Sequence, residues 1–283
     1  MPKLICVVGP TATGKTKKAI EIFKQQPSIL ISADSRQVYR DMDIVTGKDH
    51  PQDITIYGLD LVNPDDRCSV SVWYASVMPY IKRAWAEGKQ VIIVGGTGLY
   101  VKAITDGIDT IQVPINQNLR DELVTLSVAE LQRQLFKLNP PKLASMNNSD
   151  ANNPRRLIRA IEVATSSISL PTSPTSLPES SIIGLKYANQ TLQRSQIHAR
   201  VISRLNLGAV AETKLLLKQY DRSLPSMSAI GYKSIIQFLE NKIDEATMIN
   251  AWIDDELAYS KRQLTWFRKQ PTIWYDVDTI GAI

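Results

Sequence analysis

The sequence predicts an α/β protein on a parallel sheet, and three observations carry that expectation. Short apolar runs alternate with helical patterns, a glycine-rich turn joins the first run to the first helix, and the alternation breaks once, in mid-chain. The first run is residues 4–8, and a helical stretch begins near Lys17. A second run covers residues 29–32. From Trp73 to Trp85, apolar residues at Trp73, Val77, Ile81 and Ala84 keep a helical period and stop at Gly88, as a crossover helix does. A third run, residues 91–94, follows. From about residue 114 to 181 helices replace the alternation, including 123–138 and 154–165, which predicts a small helical subdomain inserted into a core of residues 1–113 and 182–283. Its exit, residues 166–178, is rich in Ser, Thr and Pro, too polar to offset the entropy of ordering, and is expected to be a mobile surface loop. A fourth run, 182–185, a helical stretch to about Arg268 and a β-like close at 272–277 complete the chain.

Composition limits the partners. With 283 residues and 43% hydrophobic content the chain can bury a substantial core, and 33 basic against 28 acidic residues lean mildly toward a polyanionic ligand. Cys6 and Cys68 form neither a Cys-x-x-Cys pair nor a disulfide framework, so a reducing cytoplasm is the expected compartment. No zinc site and no stretch of roughly 18 apolar residues is visible, so neither a membrane span nor a targeting segment is expected.

Gly9-Pro10-Thr11-Ala12-Thr13-Gly14-Lys15-Thr16 spells a phosphate-binding loop between strand and helix. Backbone N–H groups and the helix N-terminus make a concave positive site, Lys15 adds a charge, and the Thr16 hydroxyl is a Mg²⁺ ligand. The expected core is therefore P-loop NTPase-like, binding a di- or triphosphate. Ligands in such sheets bind beyond the C-terminal ends of the strands. Two further stretches lie there: Asp34-Ser35-Arg36-Gln37 after the second run, and Gly95-Gly96-Thr97-Gly98 after the third. Asp34 is a general-base candidate, with a turn or helix-capping aspartate as the alternative. No acid follows residues 91–94, which counts against an ATP motor. Arg155, Arg156 and Arg159 share a helix whose apolar stripe is Leu157, Ile161 and Ala164. At 100° per residue Arg155 and Arg159 face away from that stripe, toward phosphates or toward solvent. Lys261, Arg262, Arg268 and Lys269 interleave with Trp266 and Phe267, a mixture that suits either nucleic-acid contact or a solvated helix with packed aromatics.

Taken together these stretches resemble the tRNA dimethylallyltransferases, in order and spacing. The match runs through 9–16, 34–44, 94–100 and 153–162, then Ile197, Arg200, Gly208, Glu212, 229–233 and 261–268. The resemblance implies transfer of a dimethylallyl group from its diphosphate to N6 of the adenosine 3′-adjacent to the anticodon of tRNA, with Mg²⁺; nothing in the sequence suggests an obligate assembly, so a monomer is expected. It implies Asp34 as base, Lys15 and the loop 9–16 as diphosphate cradle, and Thr97 lining the channel where the substrates meet. As tRNA-contacting residues it implies Asp34, Ser35, Arg36 and Gln37; Arg120, Arg155, Arg156 and Arg159; and Lys233, Lys261, Arg262, Gln263, Trp266 and Arg268. The chain departs from the family pattern at 45–49, 56–60, Ser228 and Glu256-Leu257, and it lacks the zinc finger of eukaryotic members. Two other readings stand beside this one: a P-loop kinase of a nucleotide or small metabolite, and a non-catalytic tRNA-binding relative.

Overall fold

The computed structural model describes residues 3–168 and 179–277, so most of the Ser/Thr/Pro-rich exit expected to be mobile lies outside the described residues. The chain separates into two compact units, Met1–Gly107 with Ser176–Ile283, and Ile108–Thr175.

In the first unit β1 (Lys3–Val8), α1 (Lys15–Phe23), β2 (Ser28–Ser32), β3 (Ile56–Tyr57), α2 (Val70–Ala86), β4 (Gln90–Gly95) and α3 (Gly98–Thr105) follow in order. After the second unit come β5 (Glu179–Lys186), helices Gln190–Asn206, Ala209–Leu217, Tyr232–Leu239 and Glu245–Phe267, and β6 (Thr272–Asp276). The six strands form one sheet in the order β3-β2-β4-β1-β5-β6, every pairing parallel. Parallel strands covered on both faces must be apolar throughout, and β4 is buried at every position. Ile92 and Val94 pack with Val7, Leu30, Ala19 and Ile22 against α1. Side chains alternate along a strand, so Val91 and Ile93 point to the opposite face, where α2 packs with its buried Trp73, Val77, Ile81 and Ala84. The Trp73 indole donates to Ser32 O at 3.0 Å and stacks on Tyr100. The strand β3 escaped sequence expectation because two residues give no alternation to detect. Cys6, buried in β1, has its thiol pushed up to about 12 by burial, and neither cysteine is paired.

The second unit holds α4 (Gln117–Leu123), α5 (Val128–Leu138), α6 (Pro140–Ser145), α7 (Asn148–Ala151) and α8 (Pro154–Ala164) around Leu123, Leu131, Leu135, Leu157 and Ile161. The single helix expected over 123–138 is thus two helices: Ser127 and Glu130 form a reciprocal capping box that starts α5 afresh. The unit begins before residue 114 because α8 holds the preceding turn, Arg159 Nη2 donating to Thr110 O (2.8 Å) and Val113 O (3.0 Å). Glu162, 2% exposed, organises this region. It accepts from Asn116 N (2.7 Å), from Arg120 Nε (2.9 Å) and Nη2 (2.8 Å), and from Arg159 Nη1. Burial pushes its carboxyl up, yet the bonds from Arg120 and Arg159 outweigh that and hold it below the usual carboxylate range. Its stabilising contribution is therefore complete above that range and fades as pH falls through it. Glu162→Gln leaves two partly exposed guanidiniums without their carboxylate and is expected to destabilise this unit by about 1–3 kcal/mol. Hydrogen exchange of α8 amides measures it, and protection equal to wild type would disprove it.

We number the C-terminal helices of the first unit α9 (Gln190–Asn206), α10 (Ala209–Leu217), α11 (Tyr232–Leu239) and α12 (Glu245–Phe267).

Candidate active site

The loops after β1, β2 and β4 emerge at the same edge of the sheet, since all three strands run parallel. They open onto a cavity of about 930 Å³ in the first unit. The phosphate loop is wound tightly: Gly9 has φ 137°, and a Cβ there would lie 2.1 Å from Leu185 O of β5. Thr13 Oγ1 donates to Pro10 O at 2.9 Å, and Tyr187 Oη clamps Ala12 O at 2.6 Å. Gly14 caps α1 in the left-handed region with no side chain over the helix end, so the first-turn amides stay available to an anion. Lys15 Nζ donates to Pro10 O at 2.5 Å. Burial of its ammonium, and then the neighbouring Arg200 guanidinium, lower its pKa to about 8. Gly9, Pro10 and Thr13 thus shape the loop, while Thr11, Ala12, Gly14, Lys15 and Thr16 line the cavity.

Asp34 lines the same cavity, and its Oδ1 accepts from Arg36 N at 2.8 Å. Ser35 N donates to Thr97 Oγ1 at 2.9 Å, and Thr97 N to Ala33 O at 3.0 Å, so the loops after β2 and β4 are stitched together. Thr97 itself stands behind the cavity wall, holding the residue after Asp34. The glycines beside it allow this closeness: a Cβ on Gly95 would lie 2.3 Å from Ala33 O, and one on Gly96 1.7 Å from Gln263 Nε2. Gln37 bridges Ser32 Oγ (2.9 Å) and Gly47 O (3.0 Å), and Arg36 donates to Pro225 O at 2.9 Å.

Helices α9 and α12 form the wall opposite. Arg200 and Arg204 stand one turn apart on α9, and Glu256, Tyr259, Arg262 and Gln263 come from α12. Tyr259 is bonded to Thr97; burial and then Asp34 push its phenol up to about 12, which keeps it a neutral donor. Arg262 lies 5.5 Å over the Tyr259 ring. Gln263 donates to Gly96 O at 3.2 Å. Trp266, 37% exposed, is packed onto Gly98 at the start of α3. Lys233, Lys261 and Arg268 are exposed. Sequence reasoning missed Tyr259, Arg204 and Glu256 as site residues. The available signal was the spacing of Glu256, Tyr259, Gln263 and Trp266, which places all four on one side of α12.

In the second unit, Arg120 and Arg159 are committed to Glu162, and Arg156 pairs with Asp150, whereas Arg155 is exposed. The expectation that Arg159 faces away from the apolar stripe and is open to phosphates meets a different geometry: its guanidinium curls back to its own helix and to the 110–113 turn.

The substituted stretch 45–49 has structural partners of its own. Lys48 is buried, donating to Tyr39 O (2.6 Å), Asp43 Oδ1 (2.6 Å) and Asp60 Oδ1. Glu212 accepts from the amides of Asp43 (2.9 Å), Ile44 (2.6 Å) and Val45 (3.1 Å) and from Tyr232 Oη (2.6 Å).

Comparison with known proteins agrees with this geometry. Residues 37–270 match the sequence profile of the IPP transferase family, and residues 2–62 that of the isopentenyl transferase family. A tRNA dimethylallyltransferase from an Exiguobacterium species is 36% identical, the alignment covering 97% of this chain and 90% of that protein. The crystal structure of the tRNA isopentenylpyrophosphate transferase of Bacillus halodurans is 31% identical and superposes with a TM-score of 0.71, over 98% of this chain and 90% of that one. A eukaryotic dimethylallyltransferase, 22% identical, shares the fold with a TM-score of 0.81 over 100% of this chain and 75% of its own. With a phosphate loop and a strand-end aspartate opening on one cavity, and with similarity along nearly its whole length, the chain belongs to the IPP transferase family.

Proposed function

We infer that this chain transfers a dimethylallyl group from dimethylallyl diphosphate to tRNA, at N6 of the adenosine 3′-adjacent to the anticodon, releasing diphosphate. The observation that carries the reading is that Asp34 and the phosphate loop line one cavity. A nucleophile and a diphosphate leaving group would then be handled at opposite ends of one allylic carbon. The exocyclic amine is a weak nucleophile because its lone pair is delocalised into the purine. Attack forms the N6–C1 bond, breaks the C1–O bond and passes the amine proton to Asp34. The leaving oxygens accumulate negative charge, which the loop amides, Lys15 and Arg200, all at that cavity, would receive. Asp34 stands inside the cavity, so the adenine would leave its stack to reach it.

The donor set fits Mg²⁺ as well. Thr16 offers one hydroxyl at the cavity beside the phosphate loop, which suits an ion held mainly by phosphate oxygens and water. When bound, the ion would neutralise part of the leaving group's charge.

Among the described residues no helix is long and apolar enough to cross a membrane. We propose a monomer working in the cytoplasm on the anticodon stem-loop, which the exposed cations Lys233, Lys261 and Arg268 of the first unit and Arg155 of the second would contact. Replacing Lys261 and Arg268 together by alanine is expected to reduce the slope of log Kd against log salt by about two. Filter binding between low and moderate salt reads this, and an unchanged slope would return both to solvent. The reading itself is tested by incubating the purified chain with dimethylallyl diphosphate and unmodified tRNA, without ATP. A five-carbon addition on adenosine by nucleoside mass spectrometry supports it. Phosphoryl transfer from ATP with the five-carbon donor untouched would favour the kinase reading.

A further inference from the structure

On the helical wall facing the phosphate loop, Arg200 and Arg204 stand one turn apart, and the Glu256 carboxylate bonds only the second of them. Both guanidiniums press on the 45–47 turn: a Cβ on Gly47 would lie 2.3 Å from Arg204 Nη2 and 2.6 Å from Arg200 Nη2. Like charges at this spacing repel, the more so where water is scarce. Glu256, 6% exposed, resolves only half of the conflict. Its Oε1 accepts from Arg204 Nη1 at 3.0 Å, while Arg204 Nη2 donates to Thr46 O at 3.4 Å and the guanidinium lies 5.9 Å over the Trp252 ring. Arg204 is thereby held by a carboxylate, a carbonyl and a ring. Arg200 has no such cage, and its buried Nε finds no acceptor among the described residues. Burial and then Arg200 lower the Arg204 pKa to about 10, and Glu256 also acts on Lys15, so these charges form one field.

We propose that Glu256 is a positioning residue that cancels the charge of Arg204 at the anion-binding end of the cavity, leaving Lys15 and Arg200 to grip the diphosphate and thereby keeping that product releasable. The inference rests on the diphosphate reading above and adds what sets the strength of the grip. Three side-chain cations converge on a group that leaves with two or more negative charges, and a product held by all three would dissociate slowly. Paired with the Glu256 carboxylate, Arg204 contributes shape without net charge.

The test is calorimetric titration of inorganic diphosphate, with Mg²⁺, into the full chain. Glu256→Gln keeps an acceptor for Arg204 but removes the charge, and is expected to tighten diphosphate binding roughly tenfold. In steady state it should lower kcat through slower product release while leaving the single-turnover rate near wild type. A purely structural role predicts lower thermal stability with an unchanged dissociation constant and an unchanged ratio of single-turnover rate to kcat. Should Glu256→Gln not fold, the double variant Arg204→Met, Glu256→Leu removes both charges together. It is expected to bind diphosphate within about twofold of wild type. A loss of tenfold or more would make Arg204 itself a diphosphate ligand and overturn the proposal, as would unchanged or weaker binding by Glu256→Gln. A wild-type chain that binds no diphosphate would instead sink the reading of the cavity on which this inference stands.

Discussion

Asp34→Asn is expected to lower the single-turnover rate of prenyl transfer roughly 10²- to 10⁴-fold while tRNA and diphosphate binding persist. The substitution is close to isosteric, and the hydrogen bond from Arg36 N that holds the side chain survives it. Arg36 N, which donates to Asp34 Oδ1 at 2.8 Å, can donate equally to an amide oxygen. The neighbouring stitch from Ser35 N to Thr97 Oγ1 does not involve the Asp34 side chain. The loop should therefore keep its conformation, and Arg36 its bond to Pro225 O. What is lost is the capacity to take a proton, because a carboxamide is not basic in this range. Rapid-quench measurement of product, with tRNA affinity measured in parallel, separates the two effects. Full turnover by the variant would exclude Asp34 as base. A matching fall in tRNA affinity would make Asp34 a binding residue.

Lys15→Met should cost roughly 10²- to 10³-fold in the same step, the usual size for removal of one donor to developing charge. A proton-linked signature accompanies it. With its pKa lowered to about 8 by burial and by Arg200, Lys15 is charged at pH 7 and largely neutral at pH 9. An anion bound beside it favours the ammonium form and raises that pKa. Binding at pH 7 therefore takes up almost no proton at Lys15, whereas binding at pH 9 takes up most of one. Calorimetry at pH 9 in two buffers of different ionisation enthalpy reads this uptake as the difference between wild type and Lys15→Met, which removes the contribution of diphosphate's own titration. Identical proton counts for the two proteins would show that the ammonium does not meet the ligand.

The parts of the site legible in the sequence are those where chemistry and local structure coincide. The phosphate loop is contiguous, its glycines are demanded by backbone geometry, and an apolar run announces the strand that feeds it. Asp34 and the 95–98 turn were visible because parallel strands bring all their C-terminal ends to one edge. The wall built by α9 and α12 was not, since Arg204 and Glu256 are 52 positions apart and meet only through the packing of two long helices. Nothing local distinguishes such an arginine from a solvated one. The same holds in reverse for Arg120 and Arg159: an arginine on the polar side of a helix reads as available, and only the fold reveals a buried carboxylate beneath it. The helix break near residue 126 was missed because Leu123, Val124 and Leu126 carry the apolar pattern across it, although Ser127 and Glu130 stood at capping-box spacing.

The anchoring of the 43–48 turn bears on how this protein can vary. The ammonium of Lys48 is inside, tied to Tyr39, Asp43 and Asp60, and the Glu212 carboxylate is plugged by three successive amides. This stretch has almost no regular secondary structure, yet its atoms are counted off against fixed sockets on either side. Side chains pointing outward from it can be exchanged one for another. An added or deleted residue would put every later group out of step with its socket, so relatives sharing this cavity should differ here in spelling and not in length.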